Sequence, residues 1–527
     1  MHSMNKQSPT KSKYLSNTTH QIILILLMIL TVMITLFLWE GRQGFSMSDE
    51  GFLWYGTQRV LAGEVPFRDF DSYDIGRYYW SAALMQLSGD NGVITLRIAA
   101  VIFQTIAFCI IFLVLIRNFK KRSLAFWMLA MISLVAWMVH PHKLFDVSLP
   151  MILIASLSFL IEQPSRYRYF LTGLIIGLVA VFGRNHGLYG VIGSISVMLY
   201  LLRQRENTPN LVTAFSFWFL GVLTGYLPML IFLAVVPGFA TAFWDIIRPV
   251  VLLEAKSTNI PLPVPWPWRV PFIKLPIIEI LRSITIGFAF ISLLLFGIAG
   301  IVWLIRQRLH KNPVSPVLAA AILVALPYAH YAFSRADLSH LARSISPVLI
   351  GIFAILTNQS KKIAWSGIVL LCSVSLFIML PFHPGWYCCS NNQCIPMKVG
   401  GDNLKIPLRT AQHLIILNKL EKQFIPADRT FICAPFCPSA YAVIGRKSPM
   451  WDIYATGPRS KAFQEAEIQR IKAANPSLAI IDNSPLDGRD ELRFSNTHPI
   501  IDQYIRDNFK RLNGVAQNPV VYINKQE

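Results

Sequence analysis

Charged residues are scarce in this chain. Of its 527 residues, 14% are Asp, Glu, Lys or Arg and 54% are hydrophobic. An ordinary soluble domain carries roughly 25% charged residues, so the deficit argues against a cytosolic enzyme. Acidic residues are fewer than basic ones, because the chain has 28 Asp and Glu and 48 Lys and Arg. In a soluble protein this excess would indicate nucleic-acid binding, but membrane orientation explains it here, and no nucleic-acid partner is expected.

Long apolar runs take the place of the missing charge. A membrane helix needs about 20 mostly apolar residues. Candidate runs cover residues 22–39, 93–116, 124–139, 144–161, 169–182, 188–202, 211–236, 284–305, 314–333, 341–356 and 363–380. The first run is too long for a cleavable signal peptide and lacks a small-residue cleavage site. The sequence therefore predicts a multi-pass α-helical membrane protein of about 11 spans.

Basic residues predict the orientation of these spans. The positive-inside rule counts Lys and Arg in short loops. If the N-terminus is cytoplasmic, the inside segments hold sixteen basic residues and two acids, Glu162 and Glu206. We therefore expect a protein of the cell inner membrane with a cytoplasmic tail (1–21) and a membrane domain (22–380). The membrane domain carries outer loops 40–92 and 237–283, and residues 381–527 form a periplasmic domain.

The cysteines agree with this topology. Five of the seven lie in the predicted periplasmic domain: Cys388, Cys389, Cys394, Cys433 and Cys437. An oxidising compartment permits disulfides between them, although their pairing cannot be deduced and an odd number leaves at least one unpaired. Zinc binding is the alternative, but no C-x-x-C pair or histidine spacing supports it.

The segment 381–527 reads as a small α/β domain. Apolar runs at 430–434, 478–482 and 520–523 predict strands. Residues 460–474 and 499–509 have helical spacing with polar faces. A glycine-rich phosphate loop is missing from every strand–helix junction, so no nucleotide site is expected.

The first outer loop concentrates carboxylates among aromatic residues. These acids are Asp49, Glu50, Asp69, Asp71 and Asp74. The loop predicts one short helix over 49–62 and a second, interfacial helix over 76–87. Asp49 and Glu50 could simply cap the first helix, since Ser46 with Asp49 fits a capping box. Alternatively, paired carboxylates near the membrane surface could act as a general base or hold a metal ion.

A longer pattern in this loop resembles the GT-C class of integral-membrane glycosyltransferases, in particular its protein-mannosyltransferase and aminoarabinose-transferase-like branch. The matching residues are Asp49-Glu50, Val60-Leu61-Ala62-Gly63-Glu64-Val65-Pro66-Phe67-Arg68-Asp69-Phe70, Tyr78-Tyr79-Trp80 and Leu96-Arg97. The match covers about fifty residues and departs at 73–76, where relatives often show Pro-Pro-Gly. The resemblance implies transfer of a sugar from a polyprenyl-phosphate donor to an envelope acceptor, a lipid, protein or glycan. It assigns Asp49 as the catalytic base, with Glu50 and Asp69 as further catalytic candidates.

Basic groups are predicted to gather at the outer ends of the spans. Such groups could be residues that snorkel to the lipid headgroups, but polar side chains at membrane depth often mark sites. GT-C relatives hold the lipid phosphate with an arginine on a late outer loop, which implies Arg335. The further phosphate-binding candidates are His340, Lys143 and Arg184.

The cofactor requirement is open at this stage. No metal is certain, and a divalent ion, if bound, would be expected on Asp49, Glu50 and His142. His140 and His142 form a weaker metal pair because a third ligand is not evident.

Rival functions are a transporter or flippase, an O-antigen-ligase-like enzyme or polymerase, and a purely structural membrane protein. The sequence shows no inverted repeat and no acidic residues in the middle of its spans, and a transporter would be expected to have such features. Ligases usually carry their large loop between late spans, and a structural role leaves the acidic loop unexplained. We therefore expect a glycosyltransferase with membrane lipid, donor and acceptor as its partners.

Overall fold

The computed structural model describes residues 10–119, 122–139, 141–202, 209–251, 260–273, 275–390, 393–512 and 519–525. Within these ranges the membrane part is helical throughout. Its helices are α1 (Thr10–Glu40), α2 (Asp49–Leu61), α3 (Ile75–Ser88), α4 (Val93–Asn118), α5 (Leu124–Ala136), α6 (Leu144–Glu162), α7 (Arg166–Phe182), α8 (Arg184–Leu201), α9 (Leu211–Gly225), α10 (Leu227–Val235), α11 (Phe239–Val251), α12 (Ile277–Leu309), α13 (Pro316–Ser334), α14 (Leu338–Ser344), α15 (Ser346–Thr357) and α16 (Lys361–Met379).

Each apolar run of the sequence forms a helix or a bent pair of helices. In the described part of the chain, six helices are long and apolar enough to cross a membrane, and eight spans result if each bent pair counts as one. The helices α5, α7 and α8 have 13, 17 and 18 residues and do not meet that test. The protein is therefore a multi-pass membrane protein, and the number of about 11 spans stays a prediction.

Prolines account for the two bent pairs, which the sequence analysis took as continuous helices. The axes of α9 and α10 differ by 58°, and those of α14 and α15 by 46°. Pro228 and Pro347 lie in the first turns of α10 and α15. A proline has no N–H for the carbonyl of the preceding turn and its ring clashes with that turn, so the helix breaks just before it.

Glycines bring α7 and α9 into close contact. A Cβ on Gly173 would lie 2.0 Å from the Trp218 carbonyl oxygen, and one on Gly225 would lie 2.0 Å from that of Leu174. Gly177 and Gly221 complete two G-x-x-x-G patterns that face each other. Small residues at this spacing allow helix backbones to approach within a membrane, which fixes α7 against α9.

The first loop, residues 41–92, forms the predicted pair of short helices. The helix expected over 49–62 is α2, and the one expected over 76–87 is α3. Asp49 N–H donates to Ser46 Oγ at 3.1 Å, but the residue that caps α2 is Ser48, whose side chain makes no capping hydrogen bond. The second loop contains α11, which the sequence analysis did not foresee, followed by an extended proline-rich stretch and a 3₁₀ turn, Pro267–Arg269.

The C-terminal domain is α/β, as the sequence predicts. Its elements are α17 (Pro384–Ser390), β1 (Cys394–Val399), β2 (Asp402–Pro407), α18 (Leu408–Phe424), β3 (Phe431–Ala434), α19 (Pro438–Ile444), α20 (Lys461–Ala474), β4 (Leu478–Ile481), α21 (Phe494–Thr497), α22 (Pro499–Asn508), β5 (Phe509–Arg511) and β6 (Val520–Asn524). The main sheet has the order β3-β4-β6-β5, with β3 and β4 parallel and the other pairs antiparallel. The hairpin β1–β2 forms a separate sheet that the sequence analysis missed.

Two disulfides join four of the five cysteines of this domain. The pairs are Cys388–Cys394 and Cys433–Cys437, and Cys389 is free and exposed. The expectation of disulfides with one unpaired cysteine is confirmed. The zinc alternative is wrong for the four joined cysteines, because a disulfide sulfur is no longer a thiolate ligand.

Candidate active site

Asp49 and Glu50 begin α2 but have different surroundings. Glu50 is buried and accepts two hydrogen bonds from the Arg97 guanidinium, at 2.7 and 2.8 Å. Arg97 donates its remaining hydrogens to the carbonyl oxygens of Gly41, Gln43 and Gly44. Glu50 therefore anchors the first loop to α4. The prediction of Glu50 as a catalytic residue or metal ligand does not fit this geometry, because both of its oxygens are engaged in a buried ion pair.

Asp49 faces a cleft instead, and its side chain is 40% exposed. Its Oδ1 accepts a hydrogen bond from the Tyr454 hydroxyl at 3.0 Å. The same oxygen lies 3.9 Å from Lys143 Nζ and 4.0 Å from His142 Nε2. Both of these basic residues, Lys143 and His142, lie in the connection between α5 and α6. An accessible carboxylate in this position can accept a proton from a bound hydroxyl group.

Lys143 is fixed in place by Tyr73. Its ammonium donates to the Tyr73 hydroxyl at 2.7 Å and lies 4.6 Å from the centre of that ring. Burial lowers the pKa of Lys143 below its ordinary value, and the charge of Asp49 opposes this change. Burial and the charge of Asp49 raise the pKa of Tyr73 well above its ordinary value, so Tyr73 stays a neutral phenol beside the lysine.

Lys143 and Arg343 line the same cavity, whose volume is about 100 Å³. One water molecule needs roughly 10–15 Å³ of such space, so the cavity has room for a larger polar group. Arg343 is buried and donates to the Tyr331 hydroxyl at 2.8 Å and to Ser339 Oγ at 2.8 Å. In the described ranges no carboxylate forms an ion pair with Arg343. The cavity wall, which is otherwise mainly apolar, therefore carries two cationic side chains.

Arg343 was missed by the sequence analysis, which placed it inside an apolar run and gave it no role. An arginine inside such a run is itself a signal of function, because ionisable groups at membrane depth are expensive. Arg343 also lies three residues after His340, which places both on neighbouring positions of α14.

Arg335, the arginine predicted to bind phosphate, has other partners. Its guanidinium pairs with Asp337 at 2.8 Å and with Asp487 of the C-terminal domain at 2.8 Å, and it donates to the Ile260 carbonyl at 2.8 Å. His340 Nδ1 lies 2.8 Å from Asp337 Oδ1. Burial works against the Asp337 carboxylate, but its contacts with His340 and Arg335 hold its pKa below the ordinary value. Arg335 thus ties the α13–α14 turn to the second loop and to the C-terminal domain.

The remaining candidates, Asp69 and Arg184, support the first loop. Asp69 accepts from Arg68 at 2.8 and 2.9 Å and from the Val65 N–H at 2.7 Å. Burial opposes its ionisation, but these hydrogen bonds hold its pKa below the ordinary value. Arg184 Nε lies 3.5 Å from Asp74 Oδ1, and its guanidinium lies 5.4 Å from the centre of the Phe67 ring. Neither contact set includes Asp49, and the catalytic and phosphate-binding assignments of these two residues stay predictions.

A buried polar network behind the site was also missed. Asp146 accepts two hydrogen bonds from Arg77, at 2.5 and 3.0 Å, and lies 3.3 Å from His186 Nε2. His186 Nδ1 lies 2.9 Å from the Tyr328 hydroxyl. The network joins α3, α6, α8 and α13. Asp146 follows Lys143 by three residues at the start of an apolar run, which is the signal that could have revealed it.

The C-terminal domain packs directly on the first loop. Trp451 Nε1 donates to the Phe67 carbonyl at 2.9 Å, and the Trp451 carbonyl accepts from the Asp71 N–H at 2.9 Å. The Ser448 N–H donates to the Tyr55 hydroxyl at 2.8 Å. The domain thus closes one side of the cleft that contains Asp49.

The predicted metal ligands do not assemble into a three-ligand site. Within the described residues no group of three or more His, Cys, Asp and Glu side chains could hold a metal ion. Asp49 and His142 are near each other, but Glu50 points to Arg97. His140, the other member of the predicted histidine pair, lies outside the described residues.

Comparison with known proteins gives the fold. No protein family and no curated protein sequence matches the chain. Its structure is similar to that of ArnT from Cupriavidus metallidurans in the apo state, with a TM-score of 0.55, 12% identity, and coverage of 96% of this chain and 98% of that chain. The Archaeoglobus fulgidus oligosaccharyltransferase tethered with an acceptor peptide gives a TM-score of 0.46 at 10% identity, over 96% of this chain and 74% of that chain. The chain therefore has the same fold as this ArnT.

Proposed function

We propose that the protein transfers a sugar from a polyprenyl-phosphate donor to an acceptor at the periplasmic face of the inner membrane. The observation that carries the proposal is the position of Asp49. Its exposed carboxylate lies 3.9 Å from Lys143, and Lys143 shares an anion-sized cavity with Arg343. A proton acceptor therefore adjoins a pair of cations, which is the arrangement that sugar transfer from a lipid phosphate requires. The ArnT-like fold and the GT-C resemblance of the first loop support it.

The reaction follows from the roles of these three residues. The oxygen of an acceptor hydroxyl attacks C1 of the sugar while Asp49 removes its proton. The bond between C1 and the phosphate oxygen breaks, and its electron pair leaves with the carrier phosphate. Lys143 and Arg343 neutralise the charge that develops on the phosphate. A single displacement of this kind inverts the anomeric centre, and the proposal needs no metal ion for any step.

The periplasmic placement rests on two features. The short loops predicted to lie inside are basic, which favours the cytoplasm for them. The two disulfides of the C-terminal domain are typical of an oxidising compartment. We further propose that this domain, which borders the Asp49 cleft, contacts the envelope acceptor and that the second loop lies near the membrane lipid.

A reconstitution assay tests the proposal. Purified protein in liposomes receives a polyprenyl-phosphate sugar together with an envelope extract as the source of acceptor, and free polyprenyl phosphate is measured. The wild type is expected to release it, Asp49→Asn is expected to release none, and the exposed-site control Asp428→Asn is expected to match the wild type. Carrier movement between leaflets without phosphate release would instead identify a flippase and refute the proposal.

A further inference from the structure

Tyr454 reaches the candidate active site from the C-terminal domain. Its hydroxyl donates to Asp49 Oδ1 at 3.0 Å across a separation of 405 residues in the sequence. Its ring is 5.1 Å from that of Phe52 on α2 and 5.5 Å from that of Phe436 in the C-terminal domain. The Tyr454 ring therefore packs against one aromatic residue of the first loop and one of the C-terminal domain.

The segment that carries Tyr454 is itself fixed to the first loop. Ser448 and Trp451, six and three residues earlier, hydrogen-bond to Tyr55 and Phe67. The loop from which Asp49 projects and the segment from which Tyr454 projects are therefore joined by these two hydrogen bonds. The contact between Tyr454 and Asp49 is therefore supported by neighbouring hydrogen bonds between the same two segments.

We propose that Tyr454 is a positioning residue for the general base, and that the C-terminal domain thereby completes the active site. The inference rests on the proposed role of Asp49. With Oδ1 held by the Tyr454 hydroxyl, the carboxylate cannot rotate freely and keeps one orientation toward the acceptor. Fixing a catalytic group in its reactive orientation removes an entropic part of the barrier.

Tyr454 can serve only as a donor in this contact. Burial, followed by the charge of Asp49, raises the pKa of Tyr454 far above its ordinary value, so the phenol keeps its proton. A donor to a carboxylate favours the ionised form, which is the form that accepts the acceptor's proton. Among the residues that the structure describes, Lys143, His142 and Tyr73 are further titratable groups with a contact or charge interaction with Asp49.

The test compares Tyr454→Phe with Tyr504→Phe, which removes a hydroxyl on α22 outside the site. Hydrogen bonds to charged groups contribute enough to predict an approximately 10- to 100-fold lower kcat for Tyr454→Phe. The donor KM is expected to change less than about twofold, because the phosphate cavity is untouched. The acid limb of the kcat/KM profile is expected to move to higher pH, which loss of a structural contact alone would not cause. Tyr504→Phe is expected to match the wild type in kcat, in the donor KM and in the pH profile.

Two outcomes separate this inference from the proposed function. If Asp49→Asn is inactive while Tyr454→Phe has wild-type kcat and pH profile, the positioning role is refuted and the proposed function stands. If the wild type transfers no sugar, infrared difference spectra against Asp49→Asn still measure the Asp49 titration. A higher pKa of Asp49 in Tyr454→Phe would then support the contact, and an unchanged value would refute it.

Discussion

Replacing Glu50 with glutamine is expected to destabilise the protein, whereas replacing its neighbour Asp49 with asparagine is expected to abolish activity and leave the fold intact. The difference comes from burial. The side chains of Glu50 and Arg97 are 3% and 2% exposed, and the pair is bidentate. Glutamine keeps the shape of Glu50 but leaves the Arg97 charge uncompensated in the interior.

The size of the effect follows from what a buried ion pair contributes. Removing one partner of such a pair destabilises a protein by about 3–5 kcal/mol. A typical free energy of unfolding is about 5–15 kcal/mol, so Glu50→Gln removes a large share of it. Asp49→Asn changes a side chain that is 40% exposed, and the asparagine oxygen can still accept the hydrogen bond from the Tyr454 hydroxyl. Its effect on stability is expected to stay within about 0.5 kcal/mol.

Heating of the detergent-solubilised protein measures the difference. Because unfolding of a large membrane protein is usually irreversible, the readout is the temperature at which half of the protein remains monodisperse after a fixed heating time. This temperature is expected to be several degrees lower for Glu50→Gln than for the wild type, and unchanged for Asp49→Asn. A Glu50→Gln variant that melts with the wild type yet transfers no sugar would refute the structural assignment and restore Glu50 as a catalytic candidate.

Three further predictions concern other parts of the molecule. Arg343→Leu is expected to raise the donor KM about tenfold or more in donor titrations, while Arg335→Leu changes it less than about threefold; the reverse order would favour Arg335 as the phosphate ligand. Burial and the neighbouring Asp452 raise the pKa of Asp71 to about 7, so the folded state binds this proton more tightly than the unfolded state. Its contribution to stability is then full below about pH 3.8 and falls as the pH rises to about 7. Asp71→Asn is expected to remove this slope and to melt above the wild type at pH 8; equal melting temperatures would contradict it. Cys389, free and exposed, is expected to react with a membrane-impermeant maleimide in spheroplasts, and protection there would contradict a periplasmic domain.

Local sequence patterns were sufficient to predict the helices and strands whose structure depends on nearby residues. The apolar runs gave the helices, and turn residues around 62–66 and acids at 49–50 gave α2 close to its observed bounds. The strands β3, β4 and β6 followed from short apolar runs. Pro228 and Pro347 marked possible breaks in the same way, because proline disfavours a helix interior. The sequence alone does not say which prolines break a helix, since α6 and α13 continue through Pro150 and Pro327.

The roles of the site residues depend on contact partners that are distant in the sequence. Arg335 and Arg343 are eight residues apart; Arg335 follows one apolar run, and Arg343 lies at the start of the next. What distinguishes them is the C-terminal domain, whose Asp487 pairs with Arg335, while Arg343 faces the cavity of Lys143. No local pattern contains this information, because the distinguishing carboxylate is 152 residues away.

The opposite roles of Asp49 and Glu50 show where local geometry stops and tertiary structure takes over. Successive residues of an α-helix point about 100° apart, since 3.6 residues make a turn. Two adjacent carboxylates at the start of a helix therefore leave it in different directions, and one of them is turned toward the neighbouring helices when the other faces the site. The helix alone does not say which of the two turns inward. Arg97 on α4 decides it, because its buried guanidinium lies beside Glu50 and donates to both of its carboxylate oxygens. Asp49 is left for the cleft, where Tyr454 and Lys143 meet it.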